Sequence, residues 1–288
     1  MDQKKYIVAC INGFPPSESV IQYGAWISKH SDKELMLYHC LDPQRKEADI
    51  DMSGSIGLGA KEDLLKEIVE LEFEQNKILL KKAKLILESA KQQVLNAGAN
   101  EPKTTVEHGR LIENLLSFKD EISLAIIGRY GQHHQEANKK GVVGHNVEGV
   151  IRSLEQPVLV VSKEFSPPKK ALIAFDGSKA SLKALNFICE RPIFKNIEID
   201  VVYVGEDNEN SQSLVSMAKT MLTDNNVKNK TVILKGEPEK AILNYADKNQ
   251  IDFIAMGAFS HNWIHDFIIG SFTSKMLTLN DKPLLLIR

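Results

Sequence analysis

Short apolar runs alternate with longer amphipathic segments along the chain. In the C-terminal half, runs such as 171–175 and 251–256 are apolar at nearly every position, and apolar residues spaced three or four apart fill the segments between them. Strands that are apolar on both faces and separated by helices are typical of a parallel sheet covered by helices on both sides. The pattern therefore predicts an α/β fold of doubly wound type, in which ligands bind at the carboxyl ends of the strands. The elements predicted for this half are strands at 171–175, 199–204, 231–234, 251–256 and 284–287, and helices at 180–189, 214–222, 239–248 and 273–279.

The same pattern occurs twice. Residues 6–13 align with 170–177 at an offset of 164 residues, and so do 35–40 with 199–204. Further along, Gly109 aligns with Gly236 at an offset of 127. Repetition of this kind predicts a tandem duplication of one domain, with a first copy over residues 1–164 and a second copy over 165–288. Two adjacent prolines and mixed charge at the boundary are typical of an extended connector.

The first copy contains a surplus of 37 residues, which is the difference between the offsets of 164 and 127. The surplus lies within about 41–97 and consists of a Gly/Ser-rich loop at 52–59 followed by a helical pattern from about 61 to 97. A helix of that length spans roughly 54 Å at 1.5 Å per residue. We therefore expect a bend or an overhang onto the other half of the chain.

The end of the second copy is a candidate phosphate-binding region. Gly257 follows a predicted strand, and Gly270-Ser271 stands where a helix is predicted to begin. Backbone N–H groups and the positive end of the helix dipole converge in such a place, and glycine permits close approach of an anion. Ser271 and Thr273 are either hydroxyl donors to a phosphate or caps of the helix, and the residues alone leave both interpretations open.

These motifs resemble those of the universal stress protein family in its tandem form. The resemblance is carried by the segment Asp176-Gly-Ser-Lys-Ala-Ser181, by Gly236-Glu-Pro, by Ile254-Ala-Met-Gly257 and by Gly257-x2-Ser260-x9-Gly270-Ser271. Nucleotide-binding members of that family have glycine where this chain has Ser260. The resemblance covers nearly all of the chain apart from the surplus.

The resemblance implies two tandem doubly wound, Rossmann-like domains that form an intramolecular pseudo-dimer. Members of the family pair through their last strands, and the equivalent segments here are 158–161 and 284–287. We therefore expect these two segments to meet across a pseudo-twofold axis.

The resemblance also implies a site for an adenine nucleotide (ATP, ADP or AMP), chiefly in the second copy. Asp176 is expected near the ribose and phosphates, where it meets Mg²⁺ only through the bound nucleotide, and the backbone of Val204 is expected near the adenine. The other residues expected to line the site are Ala174, Phe175, Met256, Gly257, Ser260, His261, Gly270, Ser271, Phe272 and Thr273.

The first copy departs from this pattern, which predicts a weaker or altered site. Asn12 stands in place of the acid, and His145 follows the aligned glycine where the second copy has serine. Asparagine still accepts a hydrogen bond but carries no charge. The corresponding residues of the first copy are Asn12, Cys40, Gly128, Gly131, Gly144 and Asn146.

Charge and composition narrow the functional classes. Lys and Arg number 36 and Asp and Glu 38, which gives a formal charge of −2 and disfavours a nucleic-acid partner. Three cysteines without paired spacing, and apolar runs far shorter than the roughly 18 residues of a membrane span, favour a cytoplasmic protein without a membrane partner.

No phosphate-loop, nucleophile-elbow or zinc-protease motif is present, and no catalytic acid and base pair is identifiable. We therefore expect a stress-response sensor or regulatory module that binds a nucleotide, rather than a fast enzyme. One alternative is a nucleotide-free interaction protein that binds an unknown protein partner through the first-copy helix and loop. Another is a slow ATPase, and whether the fused pair forms a further homodimer stays open.

Overall fold

The computed structural model describes residues 5–14, 17–41, 58–130, 143–162, 164–258 and 270–288, with the side chains of 58–65 and 145 excepted. The first half contains β1 (Tyr6–Cys10), α1 (Ser17–Lys29), β2 (Glu34–Leu41), α2 (Leu58–Asn96), β3 (Lys103–His108), α3 (Leu111–Ser117), β4 (Ile122–Gly128), α4 (His145–Ser153) and β5 (Val158–Val161). The second half contains β6 (Lys170–Ala174), α5 (Lys179–Cys189), β7 (Glu198–Val204), α6 (Glu209–Asp224), β8 (Asn229–Leu234), α7 (Pro238–Lys248), β9 (Phe253–Gly257), α8 (Ser271–Leu279) and β10 (Leu284–Ile287).

A ten-stranded sheet in the order β3-β2-β1-β4-β5-β10-β9-β6-β7-β8 runs through both halves. Neighbouring strands are parallel within each half, but β5 and β10 pair antiparallel, with Leu159 opposite Leu285. All residues of β5 and β10 are buried, as their continuous apolar sequences require. The α/β fold and the predicted pairing of the last strands are therefore confirmed.

Both faces of the sheet are covered by helices. Apolar residues of α1, α2, α5 and α6 form one core with alternate strand residues, and those of α3, α4, α7 and α8 form the other core with the remaining strand residues. Each core contains residues of both halves, so the two copies share their hydrophobic interior. Because the halves run antiparallel at their junction, the carboxyl ends of their strands lie at opposite edges of the sheet.

Helix α2 has 39 residues and is roughly 58 Å long at 1.5 Å per residue. Its C-terminal part packs against α1, β2 and β3 of its own half. The helix ends at Asn96 and is followed by Gly98, whose φ of +73° favours glycine. The N-terminal part extends beyond the sheet, since the side chains of Val69 and Phe73 are 62% and 67% exposed. The overhang expected from the length is present, but it faces solvent rather than lying on the other half.

All three cysteines are free. None of the helices in the described ranges combines the length and the apolar character that crossing a bilayer requires.

Candidate functional site

The predicted second-copy site lies at one edge of the sheet. Strand β6 lies between β7 and β9, so their carboxyl ends are adjacent. Asp176 follows β6, Val204 ends β7 and Gly257 ends β9. The beginning of α8 is tied to the same edge, because the Thr273 hydroxyl donates a 2.8 Å hydrogen bond to the carbonyl of Ala258. The topology thus brings together four segments that are separate in the sequence.

Asp176 begins a tight turn into α5. Its Oδ1 accepts a 2.9 Å hydrogen bond from the Ser178 N–H, and the Ser178 side chain caps the helix by accepting from the N–H of Ser181. Gly177 has a φ of +77°, and a Cβ there would lie 2.6 Å from the Leu214 side chain of α6. Asp176 itself is exposed, so the turn presents a carboxylate at the sheet edge.

Gly257 permits close packing between β9 and α5. A Cβ at this position would lie 2.6 Å from the Cβ of Ala180 and 2.7 Å from its carbonyl carbon. Real side chains do not approach backbone atoms this closely, so glycine is required here by packing. The end of β9 is therefore held directly beside the first turn of α5.

Three predicted site residues have buried side chains. Phe175 is 2% exposed, Met256 1% and Ala174 8%, and all three belong to the hydrophobic cores. Any contact that these residues make with a ligand at the edge must come from their backbone atoms. Val204 is half-buried.

The amino end of α8 offers backbone donors. Gly270 is the N-cap residue, and glycine has no side chain with which to cap the helix. The first helical hydrogen bond runs from the Ser274 N–H to the Gly270 carbonyl at 3.0 Å. The N–H groups of residues 271–273 have no acceptor among the described residues. Such groups, together with the helix dipole, attract an anion.

The roles of Ser271 and Thr273 differ in the structure. Neither side chain caps α8. Thr273 is 2% exposed and its hydroxyl proton is donated to Ala258, so this side chain holds α8 against β9. Ser271 is exposed at the first helical position. Ser260, His261 and Gly131 were also predicted to take part, and they lie outside the described residues.

Asn12 holds the equivalent turn in the first copy. Its Oδ1 accepts hydrogen bonds from the Phe14 N–H at 3.1 Å and from the Ser17 hydroxyl at 2.8 Å. Gly13 has a φ of +78°, and Ile86 of α2 covers it as Leu214 covers Gly177. The turn is therefore preserved without a negative charge.

The rest of the first-copy edge is used for packing. Gly144 is the N-cap of α4 and donates to the Arg129 carbonyl at 3.2 Å, while Val147 N–H already donates to the Gly144 carbonyl at 2.9 Å. Arg129 is 2% exposed, and its guanidinium donates to the Leu277 carbonyl at the carboxyl end of α8 in the other copy. Gly128 is half-buried and Asn146 is exposed.

The two cysteines at this edge have different surroundings. Burial, with Cys40 nearby as a smaller cause, raises the pKa of the Cys10 thiol to about 12. The Cys40 thiol donates to the Gly109 carbonyl at 2.9 Å. A raised pKa keeps the Cys10 thiol protonated at neutral pH, which disfavours it as a nucleophile. The described residues contain no cluster of three or more His, Cys, Asp or Glu side chains that could hold a metal ion.

A cavity of about 260 Å³ lies between the copies, over the paired residues Leu159 and Leu285. Its aromatic lining consists of Tyr23, Trp26, Phe187, Phe194 and Phe253. Ile7 and Phe253 line it from the amino ends of β1 and β9, so it is separate from both predicted nucleotide sites. Sequence reasoning did not find this cavity, because its walls come from both copies and carry no local motif.

Comparison with known proteins gives the same duplication. The model of the universal stress protein family matches residues 4–162 and 168–288. Universal stress protein Slr1230 of Synechocystis sp. is 32% identical in an alignment of 288 positions that covers 99% of this chain and 100% of that protein. Universal stress protein YxiE of Bacillus subtilis is 23% identical in an alignment of 145 positions that covers 41% of this chain and 98% of that protein.

A solved structure has the same fold over nearly the whole chain. A crystal structure of a universal stress protein from Archaeoglobus fulgidus superposes with a TM-score of 0.72 at 20% sequence identity, and the match covers 99% of both chains. The family match extends over nearly the whole chain in two tandem segments, and a relative of equal length shares about a third of its residues. This chain therefore belongs to the universal stress protein family.

Proposed function

We propose that this chain is a cytoplasmic regulatory module of the stress response that binds an adenine nucleotide at the sheet edge of its second copy. We place the boundary between the copies at residues 164–165, in the connector between β5 and β6. The observation that carries the proposal is the amino end of α8, where the N–H groups of residues 271–273 have no acceptor among the described residues. This end of the helix is tied to the end of β9 beside the Asp176 turn.

Each part of this edge suits one part of a nucleotide. The N–H groups of α8 and the Ser271 hydroxyl suit phosphate oxygens. The Asp176 carboxylate suits a ribose hydroxyl or a Mg²⁺ ion that arrives with the phosphates, and the backbone of Val204 suits the adenine edge. One carboxylate does not make a resident metal site, so Mg²⁺ enters the proposal only as part of the nucleotide complex.

The same edge supports binding rather than rapid turnover. Its described part offers backbone donors and a carboxylate that already accepts a turn hydrogen bond, with no paired general base and nucleophile. Phosphoryl transfer needs a group that orients the attacking water. A phosphate-release assay on the purified chain is therefore expected to show at most slow hydrolysis, and rapid release that disappears in Asp176→Ala would instead favour the ATPase alternative.

Isothermal titration calorimetry with ATP, ADP and AMP tests the binding site. The full chain is expected to bind one nucleotide in the second copy, and Gly270→Val is expected to abolish this binding. At φ −57° and ψ 149° the Gly270 backbone accommodates valine, so the substitution blocks close approach without backbone strain. Gly144→Val is the matched control, because Gly144 is the N-cap of α4 with φ −64° and ψ 139°. Absence of heat up to millimolar nucleotide, or equal loss in both variants, contradicts the proposal.

Asp176→Asn tests the charge separately from the turn. Asn12 demonstrates that an amide holds the same turn, so the backbone is expected to be unchanged. Loss of a charge-assisted contact of about 1.5–3 kcal/mol predicts at least about tenfold weaker binding of Mg²⁺-ATP. The reciprocal Asn12→Asp is the control for a general charge effect. Unchanged affinity in Asp176→Asn would remove the carboxylate from the site.

A further inference from the structure

Helix α2 carries one row of apolar residues, called the seam here, that is buried at the carboxyl end of the helix and exposed at its amino end. The buried part consists of Ala83, Leu87, Ala90 and Val94, each at most 4% exposed. Alternating steps of three and four residues continue this seam back along the helix through Leu80, Phe73 and Val69, with the polar Asn76 at one position between them. This is the spacing of the a and d positions of a coiled coil. The same face of α2 thus packs on the sheet at one end, whereas at the other end no element in the described part of the chain covers it.

The amino-terminal part of the seam exposes large apolar side chains to solvent. The side chains of Val69 and Phe73 are 62% and 67% exposed, and neighbouring Leu79 is 37% exposed. The corresponding helix of the second copy, α6, has only 16 residues and no such overhang. Among the described residues, the second half of the chain does not cover this part of α2. A large apolar face on a projecting helix is typical of a protein–protein contact.

From residue 67 to residue 84, after Lys66, the charges along α2 are divided by sign. Acidic side chains at 67, 70, 72 and 74 precede Lys77, and lysines follow at 81, 82 and 84, with no acid from 75 to 87. A parallel pair of such helices would place like charges opposite each other. An antiparallel pair places the acidic part of each helix beside the basic part of the other. The charge pattern is therefore self-complementary in one orientation.

We propose that residues 66–84 of α2 pair antiparallel with the same segment of a second copy of this chain. The twofold axis lies near residues 73–76, so Phe73 packs against the partner's Asn76 and Val69 against the partner's Leu80. Glu70 then lies beside the partner's Lys77, and the symmetry repeats each contact. The interface is isologous and closes as a dimer of the fused pair.

The opposite face of α2 is a built-in control. Leu71, Ile78 and Leu85 are 57%, 63% and 72% exposed, but they lie seven residues apart and form a single row on the side away from the seam. One apolar residue in every two turns makes a narrower contact than an a and d seam. Ile78 therefore matches Phe73 in exposure but lies outside the proposed interface.

Sedimentation velocity of the full chain tests the proposal, from micromolar to several hundred micromolar protein. Wild type is expected to shift from 32.2 kDa to twice that mass. Phe73→Glu is expected to raise the dimer dissociation constant at least about 100-fold, because a charge is placed in the apolar seam. Ile78→Glu is expected to leave it within about threefold. A monomeric wild type throughout, or equal effects of the two substitutions, would overturn the pairing.

Charge reversal tests the orientation. Glu70→Lys alone and Lys77→Glu alone are each expected to weaken the dimer about tenfold, since two attractive contacts become repulsive. The double variant Glu70→Lys/Lys77→Glu is expected to restore wild-type association, and so is an equimolar mixture of the two single variants. Failure of the double variant to recover excludes the antiparallel register. Nucleotide titration of the same variants is expected to be unchanged, so this proposal stands or fails separately from the nucleotide site.

Discussion

The two copies have the same backbone turns at the carboxyl edge of their strands but different side chains there. In both, an Asx turn with a glycine at φ near +77° follows the first strand, and a glycine caps the helix after the fourth strand. Asn12 replaces Asp176, and Val147 replaces Thr273. The main-chain requirements have therefore kept the turns, while the side chains have diverged.

The polar side chains of the first copy make structural contacts at this edge. In the first copy, the oxygen of Asn12 accepts two hydrogen bonds and the buried Arg129 reaches across to α8. The second copy has Ala258 where the first has Arg129. Polar groups of the first copy are thus used to hold the molecule together, whereas the second copy leaves three N–H groups without partners among the described residues. The predictions below test this division, beginning with the largest expected effect.

Gly257→Val is expected to damage the second-copy edge most. A Cβ at Gly257 collides with the backbone of Ala180, so β9 and α5 must separate. Overpacking of this kind costs about 1–3 kcal/mol, and more where the obstacle is backbone. Urea denaturation is expected to give a lower free energy of unfolding, and calorimetry is expected to show loss of nucleotide binding. Gly98→Ala is the control, because alanine at a φ of +73° lowers the free energy of unfolding by about 1 kcal/mol and Gly98 lies far from the site. Loss of binding in both variants would mean that the effect is general instability.

Arg129→Ala is expected to weaken the contact between the copies. It removes a charged donor to the Leu277 carbonyl and leaves the end of α8 without that partner. Hydrogen bonds from charged groups contribute about 1.5–3 kcal/mol, so the free energy of unfolding is expected to fall by about that amount. Hydrogen exchange is expected to accelerate at the carboxyl end of α8. Arg110→Ala removes an exposed ion pair with Glu113 and is expected to change stability by at most about 1 kcal/mol.

Much of the difference between the two copies can be predicted from the sequence, but contacts between residues far apart in the chain cannot. The alternating apolar pattern predicts the strands, because each strand must be buried on both faces. The pairing of β5 with β10 is expected from the family resemblance and not from the pattern itself. The start of α6 at Glu209, earlier than the predicted 214, depends on a capping box between Asn208 and Ser211 that lies outside the apolar pattern. The direction of Arg129 depends on an α8 carbonyl 148 residues away, which no local pattern encodes.

Thr273→Val gives the second copy the residue of the first and tests the link between α8 and β9. Valine fills the same buried space but leaves the Ala258 carbonyl without the hydroxyl donor. The free energy of unfolding is therefore expected to fall by about 1–2 kcal/mol. Thr278→Val is the control in the same helix, because its hydroxyl donates to the Ser274 carbonyl at an exposed position. That change is expected to stay within about 0.5 kcal/mol. Equal effects of the two substitutions would remove the special role of Thr273.

His39 is expected to give the first copy a small acid sensitivity that the second copy lacks. His39 is 7% exposed, whereas the equivalent residue of the second copy is Tyr203. Burial lowers the pKa of His39 below its ordinary value of 6.5, the hydrogen bond to the Ile11 carbonyl opposes this, and Lys82 adds to the lowering. Below pH 6.5 the unfolded chain therefore binds more protons at this position than the folded chain. The stabilising contribution is complete above that pH and is lost as the pH falls through the folded pKa.

Urea denaturation at about pH 7.5 and about pH 5.5 measures this contribution. Wild type is expected to lose more stability on acidification than His39→Tyr, which carries the residue of the second copy. His30→Gln changes an exposed imidazole directly after the end of α1. This variant is expected to lose as much free energy of unfolding between the two pH values as wild type does. A His39→Tyr variant that loses as much stability as wild type would show that the acid sensitivity arises elsewhere, and that the two copies do not differ in this respect.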